Sequence, residues 1–322
     1  MMEIGGMYMK QLLTGNEAVA RGLYEAGVSF ASAYPGTPST EILENAGTYT
    51  EIDAEWAPNE KVAMEAAIGA SIAGVRSFAA MKMVGVNVAA DPLFTYAYMQ
   101  VHGGFVFVSA DDPGMHSSQD EQDNRNFARF AKICMFEPSD SQEAKDMTRA
   151  AYDVSERFHV PVMVRMTTRI CHSKSLVTEQ ERVPAPPIPY TRRTGEIDSV
   201  PAVARVRRVI IEQRQKKLQE WSEACPWNVE EPGDTSIGIV TKYPCALKKW
   251  TPLDTGEFTR TDATYEIRQD LCIGCRKCLS TGCPALRYDT EQKKSSISQA
   301  DCAGCSLCAQ VCPVSAVVKK EG

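Results

Sequence analysis

Eight cysteines crowd between Cys272 and Cys312, and their spacing constrains this chain more than any other feature. Cys272, Cys275 and Cys278 are spaced C-x2-C-x2-C, with Cys283-Pro284 after four more residues; Cys302, Cys305 and Cys308 repeat that spacing, with Cys312-Pro313 after three. A tight loop of this kind aims three thiolates at one iron–sulfur cubane, and the fourth comes from the other motif. The pattern predicts two [4Fe–4S] clusters, one on Cys272, Cys275, Cys278 and Cys312, the other on Cys302, Cys305, Cys308 and Cys283. Gly274 and Gly304, each just before the second cysteine, allow the backbone to come close. Paired C-x2-C units also make zinc sites, but two complete copies with trailing Cys-Pro favour iron. Leu286 to Tyr288 and Ala316 to Val318 can supply short strands that cover the clusters.

The other four cysteines, Cys134, Cys171, Cys225 and Cys245, are scattered. Met1 to Lys10 has no long apolar core behind a basic start, so no secretory signal is read and a cytoplasmic protein is expected. Clustered cysteines in such a setting hold metal more often than disulfides. The net charge of −6 gives no footprint for nucleic acid. The longest uncharged run, Pro92 to Ala110, is broken by Gln100, His102, Gly103 and Gly104 and reads as a helix and a buried strand, not a membrane span.

To about Arg182 the chain alternates helical and extended patterns. Asn16–Ala26, Thr40–Asn45, Glu60–Ala73 and Ser141–Phe158 read as helices; Phe30–Tyr34, Phe78–Met83, Gly104–Ala110 and Val160–Arg165 read as strands. Such alternation predicts an α/β fold with a doubly wound parallel sheet. Four prolines in Val183 to Tyr190 mark an extended arm. Val203 to Trp221 then reads as a basic amphipathic helix, with Val203, Val206, Val209, Ile210 and Leu218 for one face and a solvated charged face. Ser236 to Val240 reads as a strand. The expected domains are 1–182, an arm with helix and strand over 183–262, and a small α+β dicluster domain over 263–322. From Tyr265 onward eight Lys/Arg stand against six Asp/Glu, which fits a tethered electron wire inside a larger enzyme better than a free acidic carrier.

Tyr34-Pro-Gly-Thr-Pro-Ser-Thr-Glu41 reads as strand end, turn and helix start, with Ser39 or Thr40 available as the cap. In company with Asn59-Glu60 through Gly74, Met81 through Pro92 and Asp112-Pro-Gly-Met-His116 through Arg125, it closely resembles the α subunit of indolepyruvate ferredoxin oxidoreductases. The resemblance covers about residues 10–182 and returns from about Tyr243. It implies thiamine diphosphate and magnesium as cofactors, and conversion of an aryl 2-oxoacid, coenzyme A and oxidised ferredoxin to acyl-CoA, carbon dioxide and reduced ferredoxin. It also implies a smaller β subunit, hence a hetero-oligomer, with an external ferredoxin as acceptor. Residues 1–182 then correspond to the pyrimidine-binding domain, and Glu60 to the carboxyl group that protonates the aminopyrimidine, a task suited to a buried acid. Thr37 resembles a donor to the 2-oxoacid carboxylate, Lys82 and His116 line the substrate, and Asn87 lies on the cofactor side.

Family α subunits are nearly twice as long and carry a diphosphate-binding domain opened by Gly-Asp-Gly. No Gly-Asp-Gly occurs in this sequence, and two similar strands meet near Val240 to Tyr243. One expectation is a shortened subunit whose missing domain comes from another chain. The alternatives are an electron-transfer or assembly protein without decarboxylation, and a sequence that has lost its middle.

Overall fold

The computed structural model describes residues 10–100, 102–191, 195–229, 264–281, 285–299, 302 and 307–320. The strand expected at Ser236–Val240, the junction at Val240–Tyr243, and Cys245, Cys283, Gly304 and Cys305 lie outside the described residues. The chain divides into two compact units, Met1–Tyr243 and Pro244–Gly322.

The first unit runs β1 (Lys10–Thr14), α1 (Gly15–Glu25), β2 (Phe30–Ala33), α2 (Thr40–Ala46), β3 (Asp53–Trp56), α3 (Glu60–Ile72), β4 (Ser77–Lys82), α4 (Met83–Val88), α5 (Ala90–Tyr98) and β5 (Phe105–Asp111). It continues with α6 (Arg125–Ala131), β6 (Cys134–Phe136), α7 (Ser141–Phe158), β7 (Val162–Thr167), α8 (Thr168–His172), β8 (Lys174–Thr178) and α9 (Pro201–Glu223). Six strands form one parallel sheet in the order β3-β2-β4-β5-β7-β6. All seven residues of β5 are buried, as a central strand covered on both faces requires. The chain leaves β2 for β3 on one side and returns to β4 on the other, which makes a topological switch point between β2 and β4, where open α/β sheets bind ligands beyond the strands' carboxyl ends. β1 and β8 pair antiparallel and clasp the two ends of this domain together.

Helix ends follow the expected chemistry. Thr14 and Glu17 form a capping box on α1, and Asp140 accepts from the Glu143 amide at the start of α7. α1 and α7 pack together over a fully buried Lys145–Glu25 ion pair at 2.9 Å. The short strands β1, β3, β6 and β8 and the short helices α4, α6 and α8 went unseen in the sequence, because three to seven residues carry too little periodicity to register.

The arm crosses the surface as expected, but it is pinned. The Val183 amide donates to the Glu25 carbonyl at 3.0 Å, and the Ile188 amide to the Gly74 carbonyl at 2.8 Å. Gly74 has φ +98°, and the Ile188 carbonyl occupies the space a side chain there would need.

The helix α9 corrects an expectation. Its buried residues are Arg207, Ile211, Arg214 and Leu218, while Val206, Val209 and Ile210 are exposed. Arg207 donates twice to the Gly195 carbonyl, at 2.9 and 2.8 Å. Arg214 donates to the carbonyls of His159 (2.9 Å) and Ala97 (2.7 Å). The His159 and Ala97 carbonyls lie at the ends of α7 and α5, where helices need outside donors, so the Arg214 guanidinium is drawn inward, while Arg207 is drawn to the Gly195 carbonyl. Burial lowers the Arg214 pKa to about 10, which leaves it charged at neutral pH.

The second unit holds two small antiparallel ladders. β10 (Leu286–Asp289) pairs with β11 (Lys294–Ile297), and β12 (Val317–Lys319) with β9 (Tyr265–Ile267). The strands expected at Leu286 and Ala316 are thus β10 and β12, each with a partner the sequence did not reveal. A 3-10 helix (Lys277–Thr281) and the short helix α10 (Leu307–Gln310) pack together, each presenting a buried motif cysteine, Cys278 and Cys308, beside Ile267, Leu286 and Val317. Among the described residues no helix is long and apolar enough to cross a membrane.

Gly74→Ala forces the Ile188 carbonyl away. The arm then lifts, and limited trypsin digestion is expected to cut after Arg182 at least several-fold faster than in the parent chain.

Candidate active site and cluster sites

The expected site residues lie at the carboxyl ends of β2, β4 and β5 and on α3 and α4, around the switch point. The loop after β2 carries Thr37 and a cis Thr37–Pro38 peptide. Ser39 stands at the N-cap of α2, as one of the two expected candidates, but its side chain makes no cap hydrogen bond. Ser39 Oγ donates back to the Gly36 carbonyl (3.0 Å), and Thr40 Oγ1 accepts from the Gly36 amide (2.9 Å), so both close the turn. Buried Asn16 holds the same loop, donating to the Pro38 carbonyl (2.8 Å) and to Glu41 (2.9 Å).

Lys82 ends β4 beside Gly36, and its ammonium donates to the Ser117 carbonyl at 2.8 Å. The Ser117 hydroxyl lies 3.5 Å from the Thr37 carbonyl. Thr37, Lys82 and the loop carrying exposed His116 therefore come together. Glu60 opens α3, whose cap Asn59 accepts from the Val62 amide at 3.0 Å. Its half-buried carboxylate lies against Gly85 of α4, where a Cβ would sit 2.6 Å from Glu60 Oε1. Among the described residues it has no hydrogen-bond or ion-pair partner. An acid with an unused oxygen, packed against a residue without a side chain, fits the role of facing a flat heterocycle.

Asn87, two residues beyond Gly85, forms a reciprocal amide pair with Gln122 at 2.8 and 2.9 Å. Gln122 is bound in turn to Asn124 at 2.6 Å, and fully buried Asn124 donates to the Met83 carbonyl (3.0 Å) and Ser109 Oγ (2.7 Å). Beneath them sit two buried carboxylates. Asp111 accepts from Arg165 (2.7 Å) and the Asn124 amide (3.0 Å). Burial still holds its pKa above the usual carboxylate range despite the arginine. Asp112 accepts from Thr168 Oγ1 (2.6 Å), Ser118 Oγ (2.7 Å) and the Ser117 amide (2.8 Å). Burial pushes its pKa up, but these donors outweigh it and hold the carboxyl well below the usual range. Asn16, Asp111, Arg165 and Thr168 are supports that the sequence does not signal. Asp112, Gln122 and Asn124 stand in the motif from Asp112 to Arg125, but only the fold shows which of its residues turn inward.

In the second unit Cys272, Cys275, Cys278 and Cys312 line one cavity, together with Arg276. Cys312, the fourth cysteine of the second motif, thus borders the same cavity as the first three of the other motif. The Ala316 amide donates to Cys312 Sγ at 3.3 Å. Burial opposes ionisation of Cys312, but the amides of Val314, Ala316, Val317 and Ser315 outweigh it and hold its pKa below the ordinary thiol value. Amides aimed at sulfur suit a thiolate bound to an anionic cluster. Gly274, with φ +68°, packs on the Lys293 backbone, so its close approach serves the loop fold. Cys134 and Cys171 are different: burial raises both thiols, Cys134 to about 12, as fits core residues.

A doubly wound domain with its site at the switch point, joined in one chain to a dicluster unit, defines an iron–sulfur oxidoreductase subunit. The family description "pyruvate flavodoxin/ferredoxin oxidoreductase, thiamine diphosphate-binding" matches residues 21–215, and "4Fe-4S dicluster domain" matches 265–319. The chain belongs to the thiamine diphosphate-binding pyruvate flavodoxin/ferredoxin oxidoreductase family. It is 44% identical over 241 residues to the indolepyruvate oxidoreductase subunit IorA of Archaeoglobus fulgidus, covering 72% of this chain and 38% of that one. With IorA of Pyrococcus horikoshii it shares 41% over 278 residues, or 80% of this chain and 42% of the other. The 2-oxoglutarate synthase subunit KorA of Methanothermobacter thermautotrophicus is 29% identical over 55% of this chain and 50% of its own. The chain spans about two fifths of the length of the IorA relatives it matches. Its fold matches a 2-oxoglutarate:ferredoxin oxidoreductase of Magnetococcus marinus with TM-score 0.55 and 19% identity, over 66% of this chain and 45% of that one.

Asp112→Asn removes the acceptor charge that holds the His116 loop. At pH 7 it is expected to destabilise the first unit by about 1–3 kcal/mol in urea unfolding. A carboxyl whose folded pKa is depressed contributes stability above its ordinary pKa of about 4. That stability is lost as pH falls through the folded value, so the gap between parent and variant should narrow below about pH 4.

Proposed function

We propose that this chain is the pyrimidine-binding and electron-carrying part of a 2-oxoacid:ferredoxin oxidoreductase acting on indolepyruvate and related aryl 2-oxoacids. The observation that carries the reading is the presence, in one chain, of a Glu60 carboxylate at the switch point that has no hydrogen-bond or ion-pair partner among the described residues and of four cysteines around one cavity. Identity above 40% with the indolepyruvate subunits favours aryl substrates. The domains are taken as 1–182 for pyrimidine binding, 183–262 for the arm and its helix, and 263–322 for the clusters.

Thiamine diphosphate, when bound, supplies the nucleophilic carbon for 2-oxoacid decarboxylation. Glu60 holds a proton at its carboxyl oxygen against the pyrimidine, and the absence of a side chain on Gly85 lets that oxygen reach forward. Asn87, fixed by Gln122, borders the same face. Thr37 and Lys82 orient the substrate carboxylate by hydrogen bonding and charge, and His116 closes the pocket over its 2-oxo group. Electrons pass to two [4Fe–4S] clusters, one on Cys272, Cys275, Cys278 and Cys312, the other on Cys302, Cys305, Cys308 and Cys283. The sequence has no Gly-Asp-Gly to hold the diphosphate and its Mg2+. A companion chain or further length supplies that site, the β subunit joins as partner, coenzyme A accepts the acyl group and an external ferredoxin the electrons. The cytoplasm, where thiols stay reduced, suits such clusters.

A second reading is favoured by the same shortness: a non-catalytic electron-transfer or assembly protein that keeps the clusters and uses the α/β unit for docking. Titration with thiamine diphosphate and Mg2+, alone and with candidate companion chains, separates the two. Binding in some mixture, lost in Glu60→Gln, supports the enzyme; no binding in any mixture leaves the electron carrier.

The cluster assignment is tested apart from turnover. The anaerobic chain is expected to hold about eight irons. Cys312→Ala should lose about half of them and the EPR signal of one cluster. An unchanged iron content, or zinc in place of iron, refutes the crossed ligand set.

A further inference from the structure

The rim of the first cluster cavity joins exposed apolar and basic residues around a motif cysteine. Among the described motif cysteines Cys275 alone is exposed. Leu271 and Ile273 beside it are 42% and 66% exposed, an apolar pair left in water on a loop that could have carried polar residues. Exposed Arg276, Lys277 and Lys293 stand around them. From Leu271 to Lys294 the chain has five Lys/Arg and two Asp/Glu, although its overall charge is −6. Of the nearby acids, Asp289 accepts from the amides of Glu291 (2.8 Å) and Gln292 (2.9 Å) within its own turn, and Asp270 is paired with Arg268 at 2.6 Å. Glu291 stays exposed on the turn that carries Lys293. The loop is also held in shape, because Gly274 packs on the Lys293 backbone and the Arg276 guanidinium lies 4.1 Å from the centre of the Tyr288 ring.

We infer that Leu271–Lys277, with Lys293, is the docking surface for a small acidic protein that carries single electrons, and that the cluster on Cys272, Cys275, Cys278 and Cys312 is the port through which electrons leave. The inference rests on the iron–sulfur reading of these cysteines. In the step itself the reduced cluster loses one electron and the carrier gains one; no bond forms or breaks and no proton moves. Electron transfer requires the two centres to come close, and Cys275 is the exposed residue among the four cysteines bordering this cavity. A basic rim steers an acidic partner into encounter, while a small apolar centre holds it only briefly. Short-lived contact of limited area is the usual form of electron-transfer complexes. Charge complementarity sets the partner's sign: a basic carrier would be repelled by Arg276, Lys277 and Lys293.

The test uses the full chain, anaerobic, cluster-loaded and reduced with dithionite. Stopped-flow absorbance follows its oxidation by a strongly acidic bacterial two-cluster ferredoxin over rising salt, and a binding titration with the same oxidised ferredoxin runs alongside. Lys277→Glu/Lys293→Glu is expected to cut the second-order rate about tenfold at low salt and to approach the parent rate at high salt. Ile273→Glu should weaken binding at every salt concentration. Lys319→Glu/Lys320→Glu, an equal charge change elsewhere on the unit, should alter little, and oxidation by a small neutral dye should be the same for all. Equal losses in both double variants, or a parent rate indifferent to salt, overturns the docking surface while leaving the clusters in place. A chain that assembles no clusters overturns this inference and the iron–sulfur reading together, and its iron content identifies that case.

Discussion

The α/β site depends on two adjacent buried carboxylates at the end of β5. Asp111 and Asp112 point into opposite parts of the structure, one toward Arg165 and Asn124, the other toward Thr168, Ser117 and Ser118. Buried charge is costly unless surrounded by donors. Each carboxylate therefore dictates where its donors lie: Arg165 and Thr168 come from β7 and α8, and Ser117, Ser118 and Asn124 from the loop that follows β5. That loop carries the His116 region to Lys82 and Thr37, and carries Gln122 to Asn87.

The helix α4 is held by this same loop. Gln122 and Asn124 both donate to the Met83 carbonyl at its start, and Gly85 two residues on receives Glu60. The proposed acid thus has its position set by residues more than twenty positions away in the chain. The arm and α9 add a second layer of restraint. Arg214 turns inward to the carbonyls at the ends of α5 and α7 and Arg207 to the Gly195 carbonyl, and this leaves Val206, Val209 and Ile210 outside.

The iron–sulfur unit follows a different logic. Its core is small, with two of its buried positions, Cys278 and Cys308, taken by motif cysteines. Much of what it can bury is arranged around the thiols, so cluster binding and folding belong together. Backbone amides near Cys312 point at sulfur, and Arg276 lies at the cavity edge, so the peptide itself is polarised to receive an anionic group.

The sequence by itself determined the doubled cysteine motif, the alternation of helices and strands, and the motif residues of the switch-point loops. Those signals are local: a C-x2-C-x2-C loop or a buried run such as Phe105–Ala110 acts within a few residues. Only the tertiary structure decided which of the motif residues face the site and which lie beneath it. Nothing in Asp112 through Arg125 read in order tells that Asn124 is buried and His116 exposed. Nor does the basic pattern of α9 tell that Arg207 and Arg214 turn inward, because their carbonyl partners belong to distant segments. The exposure of Cys275 is of the same kind, since identical spacing in both motifs leaves open which thiol meets water. Spacing along a chain specifies chemistry, but burial and hydrogen-bond partners are set by whatever the fold brings alongside.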